Sequence, residues 1–449
     1  MEILKDLLPN FTDIFHIAFL VVIKYYGWVL FIFGLIYMLW RMYYVEIEHQ
    51  YVNSQEWVFL NIKVPRENMV STLAVEAIFS QMHALHVGKT FAERFIEGQI
   101  QLWYSLEIVS LGGKVSFLLR IPARMKDVVE SAFYSHYPQA EISETTDYME
   151  NFHYDPDQPG EYDIFGSEWK LSDDDTIPIK TYKDFEHTSA EEKIIDPLAN
   201  FFEGMAKIQP YELISFQIII QPISDEEWKP RAERKVKELT GEQMPHQASF
   251  LGFLMIPFEW FAHFSYKETL FGEHGHGEKE ENKPKNNWLS MTEMQKERVN
   301  LVEQKASKAG YKSKIRMLYI APADKIDMTR KGLMCGLYRP LGSVMRNKLK
   351  PDVSTTWTGV DAVFSKTLEK PYLDWLLKNK KRKFIKGFKQ RNIHIGLPKF
   401  ILNSEELATL YHFPITTKTT TAPSAIEKTE SKKSQPPANL PIAGGDSGF

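Results

Sequence analysis

The sequence predicts a membrane-anchored α+β protein, in which two globular domains follow a single N-terminal transmembrane helix. Three observations predict this class. One apolar stretch lies near the N-terminus, and strand and helix patterns alternate through the middle of the chain. Residues 415–449 are rich in Pro, Thr, Ser and Lys and have almost no apolar periodicity, which predicts a disordered C-terminal tail. A chain of 449 residues is long enough for two or three domains with their own cores.

The transmembrane helix is predicted over residues 26–44, "YGWVLFIFGLIYMLWRMYY". A helix of this length spans about 29 Å, close to the roughly 30 Å hydrocarbon core of a bilayer. Lys24 has to lie at one edge, because a lysine at the centre would cancel most of the insertion energy. Aromatic belts and a snorkelling arginine complete the pattern. The residues to which we assign this anchoring role are Trp28, Trp40, Arg41, Tyr43 and Tyr44.

Residues 1–25 are predicted to lie along the membrane interface or to extend a tilted helix, since they are too short to cross separately. A cleaved signal peptide is the alternative, but a basic first region and a small-residue cleavage site are both missing. We therefore expect a single-pass protein of the cell membrane whose domains face the cytoplasm.

Residues 52–150 predict a ferredoxin-like domain. A strand pattern, "WVFLNIKVP", precedes an amphipathic helix, and two further strands are joined by Gly112-Gly113, a strong hairpin signal. A second helix ends before Pro138, and a short strand follows. The order β-α-β-β-α-β is that of the split ferredoxin-like unit.

Residues 165–414 predict a second α+β domain. The apolar run "LISFQIIIQPI" is typical of a buried central strand, and Asn403 with Glu406 forms a capping box before a short helix. A long insertion is expected at 241–287. Its apolar part, 250–267, could dock on the bilayer, dock on a partner or fold inward, and the rest is expected to be a solvated loop.

No motif in the sequence predicts catalysis, so we expect a protein that is not an enzyme and has no cofactor or catalytic residue. Gly112-Gly113-Lys114 lacks the spacing of a phosphate-binding loop and leads into a strand. His274 and His276, with neighbouring glutamates, lie in a Gly-flanked charged stretch, so we expect a polar linker there and no metal site. The single cysteine, Cys335, excludes an intramolecular disulfide and a Cys-rich zinc site.

The strongest local charge feature is a basic run at 378–391, "KNKKRKFIKGFKQR". Phe384, Ile385 and Phe388 interleave its cations. The net charge of −4 indicates no partner by itself, but this run can bind anionic lipid or the phosphates of DNA, or it can be a solvated helix face. The candidate lipid- or nucleic-acid-binding residues are Lys378, Lys380, Lys381, Arg382, Lys383, Lys386, Lys389 and Arg391.

The order of segments resembles a known family. An aromatic-flanked helix, "WVFLNIKVPRE", "YSLEIVSLGGKVSFLLRIP", "VESAFYSHYPQAEI", "LNSEELATLYHFP" and "KKSQPPANLP" follow one another. The sequence is similar to the N-terminal, pre-motor region of membrane-anchored bacterial ATPases of the type IV secretion and conjugation class, in the HerA/FtsK-like superfamily. In that family a RecA-like motor with a phosphate-binding loop follows; here only "IAGGDSGF" follows Pro441.

The resemblance implies a platform function. We expect a non-enzymatic membrane protein on which a type IV secretion- or conjugation-like machine for DNA or protein transfer assembles. Its partners would be the lipid bilayer, a separate motor ATPase and other secretion subunits, and homo-oligomerisation is implied by the resemblance. The alternatives are a membrane-tethered DNA- or anionic-lipid-binding module, and a split or truncated fragment of a longer transfer ATPase.

Overall fold

The structure is a computed structural model that describes residues 11–65, 70–152, 154–155, 162–185, 196–241, 291–360 and 369–414. The predicted insertion, the candidate histidines 274 and 276 and the predicted C-terminal tail lie outside the described residues, apart from the first residue of the insertion.

Ten α-helices and nine strands lie within the described residues. The first part of the chain contains α1 (Phe11–Asn53), β1 (Trp57–Lys63), α2 (Thr72–His83), α3 (Phe91–Phe95), β2 (Tyr104–Leu111), β3 (Lys114–Pro122), α4 (Lys126–His136), β4 (Glu141–Thr145) and β5 (Tyr162–Leu171). The second part contains α5 (Ala199–Ala206), β6 (Leu213–Pro222), α6 (Asp225–Thr240), α7 (Glu293–Ala306), β7 (Gly310–Pro322), α8 (Arg330–Gly336), β8 (Leu349–Pro351), α9 (Lys370–Gln390), β9 (Phe400–Asn403) and α10 (Ser404–Leu410).

All nine strands belong to one antiparallel sheet. Its order is β4-β1-β3-β2-β6-β7-β5-β8, and β9 pairs with β7 beside the end of β5. The first four strands, with α2 and α4, follow the β-α-β-β-α-β order and lie in the spatial order β4-β1-β3-β2. The hairpin predicted at Gly112-Gly113 is confirmed, and both glycines have the positive φ that this turn requires.

The predicted fold class is wrong in its division of the sheet. Strand β2 pairs with β6 along its whole length, from Tyr104 opposite Ile220 to Leu111 opposite Leu213. This pairing continues the first four strands directly into the strands of the predicted second domain. The reason is that β2 would otherwise be an exposed apolar edge, and β6, which is buried along all ten residues, covers it.

The predicted transmembrane helix is also corrected. Residues 26–44 lie inside α1, which continues to Asn53 and carries Glu46 and Glu48 beyond the predicted span. Within the part of the chain that the structure describes, no helix combines the length and the apolar character needed to cross a membrane. The predicted single-pass location in the cell membrane, which depended on this helix, is therefore wrong.

The chain divides into two compact units, the first of which contains α1 and the segment Gly88–Ile100. Two of the residues predicted to anchor the chain pack inside this unit. Tyr44 is buried, its ring stacks on Trp40 at 5.7 Å, and it lies 5.7 Å from the ring of Phe95 in α3. The other three residues with this predicted role are exposed: Trp28, Arg41 and Tyr43.

The second unit contains the sheet, whose two faces are covered differently. One face, which we call the apolar face, packs against α2, α4, α5 and α10. The other, the α9 face, packs against α9. Its apolar residues form a smaller cluster: Val109, Leu118, Met149, Phe152, Ile164, Leu213, Leu318, Ile320, Phe384, Ile385 and Phe388.

The C-terminal end of the described chain completes the core on the apolar face. The predicted capping box is confirmed, because the Asn403 side chain accepts from the Glu406 amide and Glu406 accepts from the Asn403 amide. Leu407, Leu410 and Tyr411 are fully buried. The stretch that resembles a pre-motor segment is thus a core element in this structure.

Candidate nucleic-acid interface

The predicted basic run forms the C-terminal two thirds of α9 and its cap. The helix has 21 residues and is about 31 Å long. It ends at Arg391, the only non-glycine residue with a positive φ (51°) among the described residues. A left-handed residue at this position is a common way to end a helix, although glycine usually occupies it.

The apolar residues of the basic run point inward. Phe384, Ile385 and Phe388 are buried against the sheet. Gly166 of β5 leaves room for this contact, because a Cβ atom there would lie 2.3 Å from the ring of Phe384. The aromatic residues that the sequence places among the cations therefore pack in the core and do not face a ligand.

Beneath α9 lies a row of polar side chains that we call the polar row. Glu107, Gln217, Arg316 and Glu168 occupy directly opposed positions on β2, β6, β7 and β5. Gln217 donates to Glu107 at 3.1 Å, and Arg316 donates to Gln217 at 3.2 Å and to Glu168 at 2.9 Å. All four are at most 2 % exposed, so each charge depends on its neighbours for compensation.

The polar row fixes the end of α9. Arg316 donates to the backbone oxygens of Gly387, Asn392 and Ile395, at 2.7, 2.7 and 2.6 Å. Gln217 donates to the oxygen of Phe388 at 3.2 Å. These bonds add side-chain donors to the carbonyl groups of the last helical turn and of the segment that follows it, and they hold the end of α9 at one position on the sheet.

Arg391 is the most completely engaged of the predicted binding residues. Its guanidinium is buried and donates to Glu107 at 3.0 Å and to both carboxylate oxygens of Asp147. Burial raises the pKa of Glu107, but Arg391 and the hydrogen bonds from its other neighbours outweigh this and leave the pKa lowered. Trp103 donates its indole N–H to the Arg391 oxygen at 2.7 Å. Arg391 is therefore structural.

Three more of the predicted residues are engaged with the protein. Lys381 forms an ion pair with Asp163 at 2.5 Å and is 9 % exposed. Lys389 donates to the Phe152 oxygen at 2.7 Å, and half-buried Lys380 reaches the Ser354 oxygen at 3.3 Å. These contacts attach α9 to its surroundings.

The remaining four predicted residues are exposed on the side of α9 that faces away from the sheet: Lys378, Arg382, Lys383 and Lys386. Arg382 donates to Asn379 at 3.0 Å. No carboxylate of the described chain pairs with Lys378, Lys383 or Lys386. Their charge is therefore available to a ligand.

Two residues that the sequence analysis missed share this side of the helix. Tyr372 and Trp375 are 61 % and 60 % exposed, and their rings stack at 6.1 Å with 26° between the planes. Helical spacing could have revealed them, because at 100° per residue Trp375, Arg382 and Lys386 point to one side. We call these two aromatic residues and the four exposed cations the outer face of α9.

The surroundings of α9 are positively charged. The pKa of Lys314 is lowered to about 8, first by burial, and Arg316, Lys399 and Lys383 add to this against the attraction of Glu168. The His394 residue is exposed overall, but partial desolvation of its ring, followed by the charges of three lysines, lowers its pKa to about 4. Closely spaced cations of this kind favour the approach of polyanions.

Metal-dependent catalysis has no candidate centre in the described part of the chain. Within the described ranges, no group of three histidine, cysteine or acidic residues could hold a metal ion. The only cysteine, Cys335, has its pKa raised by burial, which does not favour a reactive thiolate.

Comparison with known proteins gives a family and no activity. The family described as "Domain of unknown function (DUF8128)" matches residues 54–341. This range contains the polar row but ends before α9. No curated protein matches the chain. Because the match covers more than half of the 449 residues, the chain belongs to the DUF8128 family.

Proposed function

We propose that this protein is a non-enzymatic nucleic-acid-binding protein and that the outer face of α9 is its binding surface. The observation that carries the proposal is the one-sided arrangement of four exposed cations and two stacked aromatic rings on a helix whose other side is fixed to the sheet. Cations neutralise phosphates, and exposed aromatic rings stack on unpaired bases.

The burial of Phe384, Ile385 and Phe388 favours nucleic acid over a lipid surface. A helix that lies in a membrane interface inserts an apolar side into the lipid. The apolar side of α9 is already occupied by the sheet, so the outer face can act through charge and through Tyr372 and Trp375. A flexible polyanion with stackable bases uses both.

The number of exposed cations sets the expected salt dependence. If all four contact phosphates, the logarithm of the binding constant falls with the logarithm of salt concentration with a slope of about −3 on single strands. The slope on duplex DNA would be about −3.6. The aromatic pair should add affinity for single strands only, since duplex bases are already stacked.

Fluorescence anisotropy with a labelled single-stranded oligonucleotide, and with the duplex of the same sequence, tests the proposal. The test variant combines K378Q, R382Q, K383Q and K386Q. We expect it to lose at least about tenfold in affinity and most of the salt slope. Anionic phosphatidylserine vesicles, in a sedimentation assay, measure lipid binding in parallel.

A matched control also removes three lysines and one arginine. Lys207, Arg234, Lys237 and Lys350 are exposed and lie outside α9. Their change to glutamine should leave oligonucleotide binding within about twofold. Equal losses in the two variants, or binding of vesicles without binding of oligonucleotides, would contradict the proposal.

The resemblance to pre-motor regions supports a second proposal, that this protein is a docking subunit for a separate motor ATPase. The buried stretch Leu402–Phe413 would then stabilise the domain, and the contact would use another surface. A docking subunit should still co-purify with its ATPase after the outer face of α9 is neutralised. Loss of the ATPase together with the oligonucleotide would make the two proposals one.

A further inference from the structure

A second polar feature lies on the α9 face of the sheet, at β1 and β3. It is a groove of about 390 Å³ whose lining includes Trp57, Phe59, Arg120, Asp147 and Lys389. None of the residues on the outer face of α9 lines it. The groove is therefore a separate candidate, and the proposed function does not depend on it.

Arg120 is the unusual residue of the groove. It lies on β3, opposite Phe59 of β1 and Ser105 of β2. Its guanidinium carbon is 4.0 Å from the centre of the Trp57 ring, a cation–π contact that restrains the position of the group over the indole. Within the described residues, the side chain makes no hydrogen bond and no ion pair.

This absence distinguishes Arg120 from the other two arginines on the same face. Arg316 and Arg391 each direct their N–H groups at carboxylate and carbonyl oxygens of the protein. A guanidinium has five N–H donors, and none of those of half-buried Arg120 meets a protein acceptor within the described residues. Arg120 is thus a preorganised fork of donors without an acceptor.

The acids around the groove do not supply that acceptor. Both oxygens of Asp147 accept from Arg391, and Glu144 pairs with Lys126 at 2.5 Å. Lys389 makes one hydrogen bond through its ammonium group, which leaves it two N–H donors. Exposed Glu150 is the remaining acid of the lining, and Arg120 and Lys389 are the cations of the groove that keep N–H donors for a ligand.

We propose that this groove binds a phosphoryl group. The Arg120 guanidinium would donate two parallel N–H bonds to two phosphoryl oxygens, and Lys389 would contribute a second positive charge. A planar fork that is fixed on an aromatic ring suits this bidentate geometry, and two cations favour a dianion over a carboxylate. Burial and the charge of Arg391 lower the pKa of Arg120 to about 10, which leaves it charged at neutral pH.

Isothermal titration calorimetry with inorganic phosphate at low ionic strength tests the proposal on the full-length protein. R120Q should weaken phosphate binding at least about tenfold, and R120K, which keeps the charge and loses the fork, should fall between R120Q and the wild type. R339Q, a change at an exposed arginine outside the groove, should behave as the wild type. Circular dichroism checks that all variants are folded.

Two further titrations identify the source of the phosphoryl group and separate this proposal from the α9 proposal. If a 5′-phosphorylated oligonucleotide binds more tightly than its unphosphorylated form, and R120Q removes the difference, the phosphoryl group comes from the end of a nucleic-acid chain. If the two forms bind equally, the ligand is a free phosphorylated small molecule. The fourfold outer-face variant should bind inorganic phosphate as the wild type does. Unchanged phosphate affinity in R120Q, or no saturable binding by the wild type, would overturn the proposal.

Discussion

The two faces of the sheet are stabilised by different physical means. On the apolar face, α2, α4, α5 and α10 bury a large cluster of aliphatic and aromatic side chains. On the α9 face, one helix contributes three apolar residues, and the rest of the contact depends on the polar row and Arg391. Burial of apolar surface is non-directional, so it stabilises many similar arrangements of the packed side chains. A buried network of charges and hydrogen bonds is directional and stabilises one arrangement.

Both candidate sites lie on the α9 face, where polar contacts hold the helix. A helix that is held by hydrogen bonds from beneath can leave its opposite side free for cations. The helices on the apolar face are held in place by the apolar side chains that they bury against the sheet.

Removal of Arg316 should have the largest effect. R316M leaves Glu168 buried without its partner and should cost about 3–5 kcal/mol of unfolding free energy, measured by urea denaturation. The double variant R316M/E168M removes both charges and should recover part of that loss. A double variant no more stable than R316M would contradict the view that charge compensation dominates this face.

Truncation of a buried side chain on the apolar face should reduce the free energy of unfolding by a similar amount. I218A empties a fully buried position of β6 and should cost about 2–5 kcal/mol, because the cavity remains. I218V, which removes one methylene, should cost about 0.5–1.5 kcal/mol. A larger loss for I218V than for I218A would be incompatible with packing as the cause.

The pair formed by His412 and Asp196 should make the stability of the apolar face depend on pH. Their side chains lie 3.0 Å apart. Burial alone would lower the pKa of His412, but the charge and hydrogen bond of Asp196 outweigh burial, so the pKa of His412 is raised. Burial alone would raise the pKa of Asp196, but His412 outweighs burial, so the pKa of Asp196 is lowered.

The directions of the two pKa shifts determine how the stability of the folded state changes with pH. The histidine contribution is fully present below its unfolded pKa, about 6.5, and is lost as pH rises through the folded pKa. The aspartate contribution is present above about 3.9 and is lost as pH falls through its folded pKa. We expect the melting temperature of the wild type, measured by thermal unfolding, to be lower above pH 7 than between about pH 3.9 and 6.5. The H412N variant should not show this difference. A wild-type slope retained in H412N would exclude this pair as its cause.

The smallest effect on stability is expected on the outer face of α9. K386Q should change the unfolding free energy by no more than about 0.5 kcal/mol, since no described residue pairs with this lysine. K381Q, the same substitution five residues earlier in the helix at an ion pair with Asp163, should cost more because Lys381 is buried. Equal effects in urea denaturation would show that the two sides of the helix do not differ.

Local patterns in the sequence were sufficient for some features. The hairpin at Gly112-Gly113 and the capping box of Asn403 and Glu406 depend on residues close together in the chain. The basic run was also found. Its division into residues that contact the protein and residues that are exposed was not, because the sequence alone does not show that Phe384 packs on β5 and that Arg391 pairs with Glu107.

Long-range pairing explains the errors. The contact of β2 with β6 joins segments about a hundred residues apart, and nothing near either strand encodes it. The polar row was missed for the same reason, since Glu107, Gln217 and Arg316 are isolated polar residues within apolar strands until the register aligns them. The apolar residues of α1 were assigned to lipid from their composition, without the contacts of Trp40 and Tyr44 inside the first unit.

The place of β9 and α10 has a consequence for synthesis of the chain. Strand β9 pairs with the start of β7, and Leu402, Leu407 and Tyr411 fill space between elements made hundreds of residues earlier. A nascent polypeptide therefore leaves the ribosome with an incomplete interior until residue 413 has emerged. We expect a growing chain arrested before β9 to remain sensitive to proteases and to depend on chaperones.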